Sequence, residues 1–214
     1  MAATVCAILA FASVMATTQG GEKTWRRLVH QPGRSIPQQL LDSDVGVMVQ
    51  KHREPGLLIE PPRGETWLAW RTGFFSMIFT FTVTSADSRL TAAEDWVETS
   101  VTGRVVDVFK CAAGCAVRVG DAVGLNLDGG DVTVRGRSVK AFVSWLRPLA
   151  RGQMYLAFSR SVDKETGRPV ISYDTTFEVT SLGLVGITTA HNEPTISGRR
   201  LADVVREMKD IMNR

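Results

Sequence analysis

From about residue 74, where a β domain spanning 74–214 is expected to begin, to residue 188 the chain is written in short runs where apolar and polar residues alternate, separated by glycine- and aspartate-rich punctuation. Alternation with period two places every second side chain on one face of a strand. Ser76–Ser85 alternates around Met77, Phe79, Phe81 and Val83, and Ala86–Asp95 reads as a polar connection. Val97–Lys110 is the longest strand signal, with Val101, Gly103 and Val105 on one face. Its phase breaks at Val108, and one extra residue near Val106-Asp107, a β-bulge, restores it. Further strands are expected over Ala116–Leu127, at Val132 and Val134, and over Val139–Trp145, Gln153–Ser159, Val170–Tyr173, Thr176–Thr180 and Leu184–Thr188. Asp128-Gly129-Gly130 and Arg135–Arg137 are tight-turn signals, and Lys164–Gly167 is a polar hairpin tip. Turn signals recur roughly every 8–12 residues, which predicts a mainly β domain. The expected form is a small antiparallel barrel, OB-like, or a sandwich.

The pattern changes at both ends. Leu201, Val204, Val205, Met208, Ile211 and Met212 recur at three and four residues, predicting an amphipathic C-terminal helix over 197–213 with Ser197 as N-cap. Before residue 74 the periodicity is weak. Residues 17–73 read as an arm with a short helix at Ile36–Asp42, a short strand at Asp44–Gln50 and a Pro/Gly-rich loop over His52–Gly64. Trp67–Trp70 leads into the apolar run of the first long strand. Residues 5–16 are twelve uncharged residues, too few for a bilayer span of about 20. They fit the apolar core of a signal peptide over residues 1–16, although the preceding residues lack Lys or Arg. No later run is long enough to cross a membrane, so an extracytoplasmic location, periplasmic or secreted, is expected.

Composition adds little beyond exclusion. Of 214 residues, 44% are apolar and 22% charged, with a formal charge of +3, which excludes disorder and a polytopic membrane protein. Two cysteines, Cys111 and Cys115, remain outside the candidate signal peptide, which contains Cys6. In an oxidising compartment they are expected to form one disulfide closing a small loop; free thiols and a metal or redox role are the alternatives.

Candidate chemistry is sparse. His30, His52 and His191 are scattered in separate polar stretches and form no zinc motif. No nucleophile elbow or phosphate loop is present, and no metal or cofactor is expected. Glu94, Asp95, Glu98 and Asp107 are carboxylates in or beside one strand, a solvated edge in the simplest reading. Arg118, Arg135, Arg137, Lys140 and Arg147 lie near Trp145 in sequence. Arg135, Arg137, Lys140 and Trp145 are the candidate surface-binding residues. Cations and aromatics on such a barrel suit single-stranded nucleic acid, but a charge of +3 supplies little counterion release and nucleic acid is not the expected partner.

Val83–Thr91, the bulged strand Val97–Lys110, Val119-Gly-Asp, Gly129-Gly130, Pro148-Leu149 and Gly152–Phe158 occur in that order. This order resembles an uncharacterised family of small bacterial extracytoplasmic β-domains. The resemblance covers about residues 76–212. It implies a barrel-like fold outside the cytoplasm and carries no activity to transfer. The family's helix-then-strand entry has two candidates here, Gln38–Gln50 and Phe74–Val83. The expected function is therefore a non-catalytic extracytoplasmic module that binds another protein or an envelope component. A hydrolase with acidic residues assembled in space, and an OB-type single-stranded nucleic-acid binder, are the alternatives.

Overall fold

A computed structural model of the chain describes residues 25–29, 32–41, 46–51, 61–115, 117–163, 165–188 and 196–214. The candidate signal peptide over 1–16 with its Cys6, the start of the arm, His30, His52, His191 and Lys164 lie outside the described residues.

Among the described residues, ten strands form two sheets. The larger is six-stranded and antiparallel throughout. It uses β3 (Met77–Leu90), β4 (Val97–Cys111), β5 (Ala122–Asp128), β8 (Met154–Ser159), β9 (Thr176–Thr180) and β10 (Gly183–Gly186), in the order β10-β9-β8-β3-β4-β5. The smaller is four-stranded and mixed, in the order β1-β2-β7-β6, from β1 (Trp25–Val29), β2 (Gly46–Lys51), β6 (Gly130–Val134) and β7 (Arg137–Val143). Inter-sheet contacts run through β6 and β7 against β3, β4 and β5. The result is sandwich-like and does not close into a barrel, so the sandwich form of the fold expectation is the one realised.

The β3–β4 hairpin is the spine. Thr80 pairs with Asp107 and Phe81 with Val105, leaving Val106 as the extra residue that the broken alternation required. Further register shifts fall at Phe109 on β4 and Thr84 on β3. β3 runs five residues past Ser85, through ADSRL, which by itself looks like a polar connection. Those residues are strand because each pairs across to β4, from Ala86↔Val101 to Leu90↔Val97.

Helices cover the outer face of the larger sheet. α2 (Trp67–Phe74), absent from the sequence expectation, is capped by Thr66, whose Oγ1 accepts from Ala69 N at 3.1 Å. Lys110 Nζ donates to the Thr72 carbonyl at 2.5 Å at its other end, a cation placed against a helix C-terminus. α3 (Leu201–Met212) lays Val204 and Met208 onto Leu68, Ile78, Leu156, Phe158, Phe177 and Leu184. It starts later than expected. Ser197 is not its N-cap, because Ile196–Arg199 form a turn bonded to β10, with Leu184 N donating to Arg199 O and Gly198 N to Leu184 O.

The arm is not wholly irregular. β1, α1 (Ile36–Leu41) and β2 make a parallel β-α-β unit, and β2 continues in parallel onto β7. Ile36 and Leu40 of α1 pack with Val47, Val49, Val139, Ala141 and Val143 on one face of the smaller sheet. Val170–Tyr173, expected as a strand, makes only isolated bridges before a short 3-10 turn at Tyr173–Thr175. No helix among the described residues is long and apolar enough to cross a membrane.

Candidate functional site

The Asp128-Gly129-Gly130 turn does not close a hairpin. It carries the chain from β5 in one sheet to β6 in the other. Both glycines have positive φ, +100° and +141°. A Cβ at Gly129 would lie 2.7 Å from the Ala141 carbonyl oxygen, and one at Gly130 would overlap the hydroxyls of Thr99 and Ser88. Only glycine lets the two sheets approach this closely.

Beside this corner lies a cleft of about 620 Å³. Alternation along β7 sends Val139, Ala141 and Val143 toward α1, which leaves Lys140 and Phe142 on the opposite face, joined by Met48 of β2. Ala86, Ser88, Thr99 and Leu127 line the cleft from the larger sheet, and Leu146, Pro148 and Leu149 from the connection after β7. The lining is chiefly aliphatic, with Phe142 as its one aromatic ring and Ser88, Thr99, Asp128, Asp131 and Lys140 as its polar groups, and its volume lies in the range of small-ligand sites.

Its two hydroxyls are engaged in structural bonds. Thr99 Oγ1 donates to the Gly129 carbonyl at 2.6 Å, so the 2.8 Å contact between the hydroxyls is a donation from Ser88 Oγ to Thr99 Oγ1. The proton chain ends on a backbone carbonyl. Neither hydroxyl delivers its proton to a base, as an activated nucleophile requires. At the mouth, Lys140 Nζ stands 3.8 Å from Asp131 Oδ2, and the two side chains are 47% and 71% exposed. A pair this open is screened by water and holds little energy.

The candidate surface-binding residues do not form one surface. Arg135 sits at the tip of the β6–β7 hairpin with φ +50°. Arg137 donates to the Leu40 carbonyl, so its cation serves the C-terminal end of α1. Trp145 is buried, its ring 5.4 Å from that of Tyr173, and has no face open for stacking on a base. Lys140 alone of the four reaches the cleft. The carboxylates are also dispersed: Glu98 pairs with Arg89 at 3.0 Å, and Asp95 accepts from Gly33 N and Thr91 Oγ1 at 3.0 Å each.

Cys111 and Cys115 have Cα atoms 5.5 Å apart and sulfurs at disulfide distance, at the end of β4 and away from the cleft. Shifted titrations also lie elsewhere. Burial pushes Lys110 down, and burial pushes the Tyr155 phenol up. The Thr166 backbone N–H, aided by its hydroxyl, holds Asp163 below the usual carboxylate value. Arg71, 3% exposed, lies 5.6 to 5.9 Å from the ring centres of Trp67, Phe75, Phe158 and Phe177 and donates to the Asp174 carbonyl. This cation is enclosed under the helical layer and serves packing there.

The cleft residues Met48, Ala86, Ser88, Thr99, Leu127 and Phe142 carry no sequence motif, and only the double glycine beside them is a local signal. No family model matches the chain, and no curated protein matches it.

Proposed function

We propose that this protein is a non-catalytic binding module acting outside the cytoplasm, with the inter-sheet cleft as its ligand site. One observation carries the reading: a chiefly apolar cleft of about 620 Å³ whose two hydroxyls form a chain that ends on the Gly129 carbonyl. Such a site holds a ligand by burying its surface, and neither of its hydroxyls is paired with a base that would make it a nucleophile. The cysteine pair at disulfide distance supports an oxidising compartment, as does the uncharged run over residues 5–16.

The test uses the environment-sensitive dye 1-anilinonaphthalene-8-sulfonate and the variant Ala86→Trp. Ala86 is exposed at the cleft wall, so the indole fills the space without entering the core. The folded wild-type protein should bind the dye saturably, and Ala86→Trp should abolish binding while Tm stays within about 2 °C. A folded wild-type protein with no saturable dye binding overturns the cleft as a ligand site. Thiol titration of the exported, unfolded protein should find neither Cys111 nor Cys115 free, and two reactive thiols would contradict the oxidised compartment.

A further inference from the structure

Among the described residues β6 ends the smaller sheet, with β7 on one side only. The hairpin turn Arg135-Gly136 pairs Val134 with Arg137, then Val132 with Val139 and Gly130 with Ala141. In an antiparallel ladder closed by a two-residue turn, these pairs exchange the hydrogen bonds. The intervening residues, Asp131 and Thr133, therefore turn their N–H and C=O groups outward. Both residues are exposed, and no described residue bonds those groups. The edge of the larger sheet is treated differently, since Val170 bridges Gly124 of β5. β6 has no proline and no bulge, and the run Val132-Thr133-Val134 is strongly strand-forming.

This open edge adjoins the cleft. Asp131 and Lys140 line both the cleft and a shallower groove of about 150 Å³ that runs along β6 and β7. Cross-strand pairing puts Asp131 on the same sheet face as Lys140, the face that looks into the cleft. Two carboxylates, Asp128 and Asp131, line the cleft against one ammonium.

We propose that β6 and the cleft together bind an extended peptide segment of another protein, added to the smaller sheet as a fifth strand. The inference rests on the cleft being the ligand site. Asp131 and Thr133 supply the backbone bonds. Alternate side chains of the added strand fall on the cleft face, where an apolar residue enters the cleft and a neighbouring Lys or Arg meets Asp131. Main-chain bonds with a pocket for alternate side chains are the elements of recognition by strand addition.

A library of randomised displayed heptapeptides, selected on the full chain, tests this. Enriched peptides should carry a large apolar residue with a Lys or Arg two positions away. Thr133→Pro removes one outward N–H and leaves the β6–β7 ladder intact, since an edge strand tolerates proline there. It should weaken the selected peptides about tenfold, the loss expected from one or two hydrogen bonds, while dye binding persists. Asp131→Lys should shift selection from cationic to acidic partners and serves if the proline variant fails to fold. Saturable dye binding with no enriched peptide, or peptides indifferent to both substitutions, overturns the strand-addition proposal and leaves the cleft standing. Self-association that Thr133→Pro abolishes would make a second copy the occupant and also overturns it. Absence of dye binding to the wild-type protein removes both readings.

Discussion

The two halves of β3 bury their side chains in different ways. Met77–Val83 lies between two layers: Met77, Phe79, Phe81 and Val83 face the inner core, while Ile78 and Thr80 are buried on the side of α2 and α3. Beyond Val83 the same strand loses its helical cover, and Thr84, Ala86, Asp87 and Arg89 are exposed. The difference arises from what lies opposite. Helices present side chains that fill the gaps between Leu156, Phe158, Phe177 and Leu184. The smaller sheet instead meets this half at a glycine corner, with Thr99 and Ser88 bonded against it, and the space beside that contact is the cleft. Close backbone contact at one point, without side chains large enough to fill the angle next to it, is how a sandwich makes a pocket.

The strongest way to break the contrast is at the covered half. Removing residues 201–214 takes Val204 and Met208 off the sheet and should cost at least about 4 kcal/mol, read as a fall in Tm and in urea midpoint. An unchanged Tm would mean that α3 does not close this core. At the corner, Gly130→Ala combines a backbone angle unfavourable to alanine with overlap on Ser88 and Thr99, and should cost about 3 kcal/mol. Gly136→Ala also has positive φ but meets no atom within 4 Å, and should cost about 1 kcal/mol. Equal losses would show that the corner is not sterically closed. Replacing Cys111 and Cys115 together by Ser should lower stability by about 1–2 kcal/mol, because the bridge closes a short loop.

The smallest effect concerns the exposed loop at Asp163. Its carboxylate is held below its ordinary value near 3.8 by bonds from Thr166 and Glu165. A group with a depressed folded pKa contributes fully above its unfolded value, and that contribution is lost as pH falls from about 3.8 through the lower folded value. Asp163→Asn should flatten the acid limb of the stability profile by a small amount, with hydrogen exchange at Thr166 and Gly167 as the local readout. An identical profile in the variant would show that these bonds contribute nothing.

Legibility followed the same divide. The α3 stripe was readable because three- and four-residue spacing puts Val204 and Met208 on one face, and the bulge at Val106 because one residue inverted the alternation. α2 was not, since Trp67, Leu68 and Trp70 lead through Arg71-Thr72-Gly73 straight into Phe74, Phe75 and the apolar strand after them. Its one local mark was Thr66 as a cap. β1, with two arginines in five residues, is a strand through parallel pairing with β2.

Period and punctuation along the chain were enough to determine a mainly β protein with a helix at its end, because both are properties of neighbours within a few residues. The cleft was decided only in three dimensions. Its walls come from β2, β3, β4, β5, β6, β7 and the connection after β7, brought together where the chain turns from one sheet to the other. The same holds for the candidate surface-binding residues: tertiary contact turned Arg137 to the end of α1, buried Trp145, and left Lys140 at the mouth. A side chain's chemistry is local, but the surface it joins depends on which distant strand lies against it.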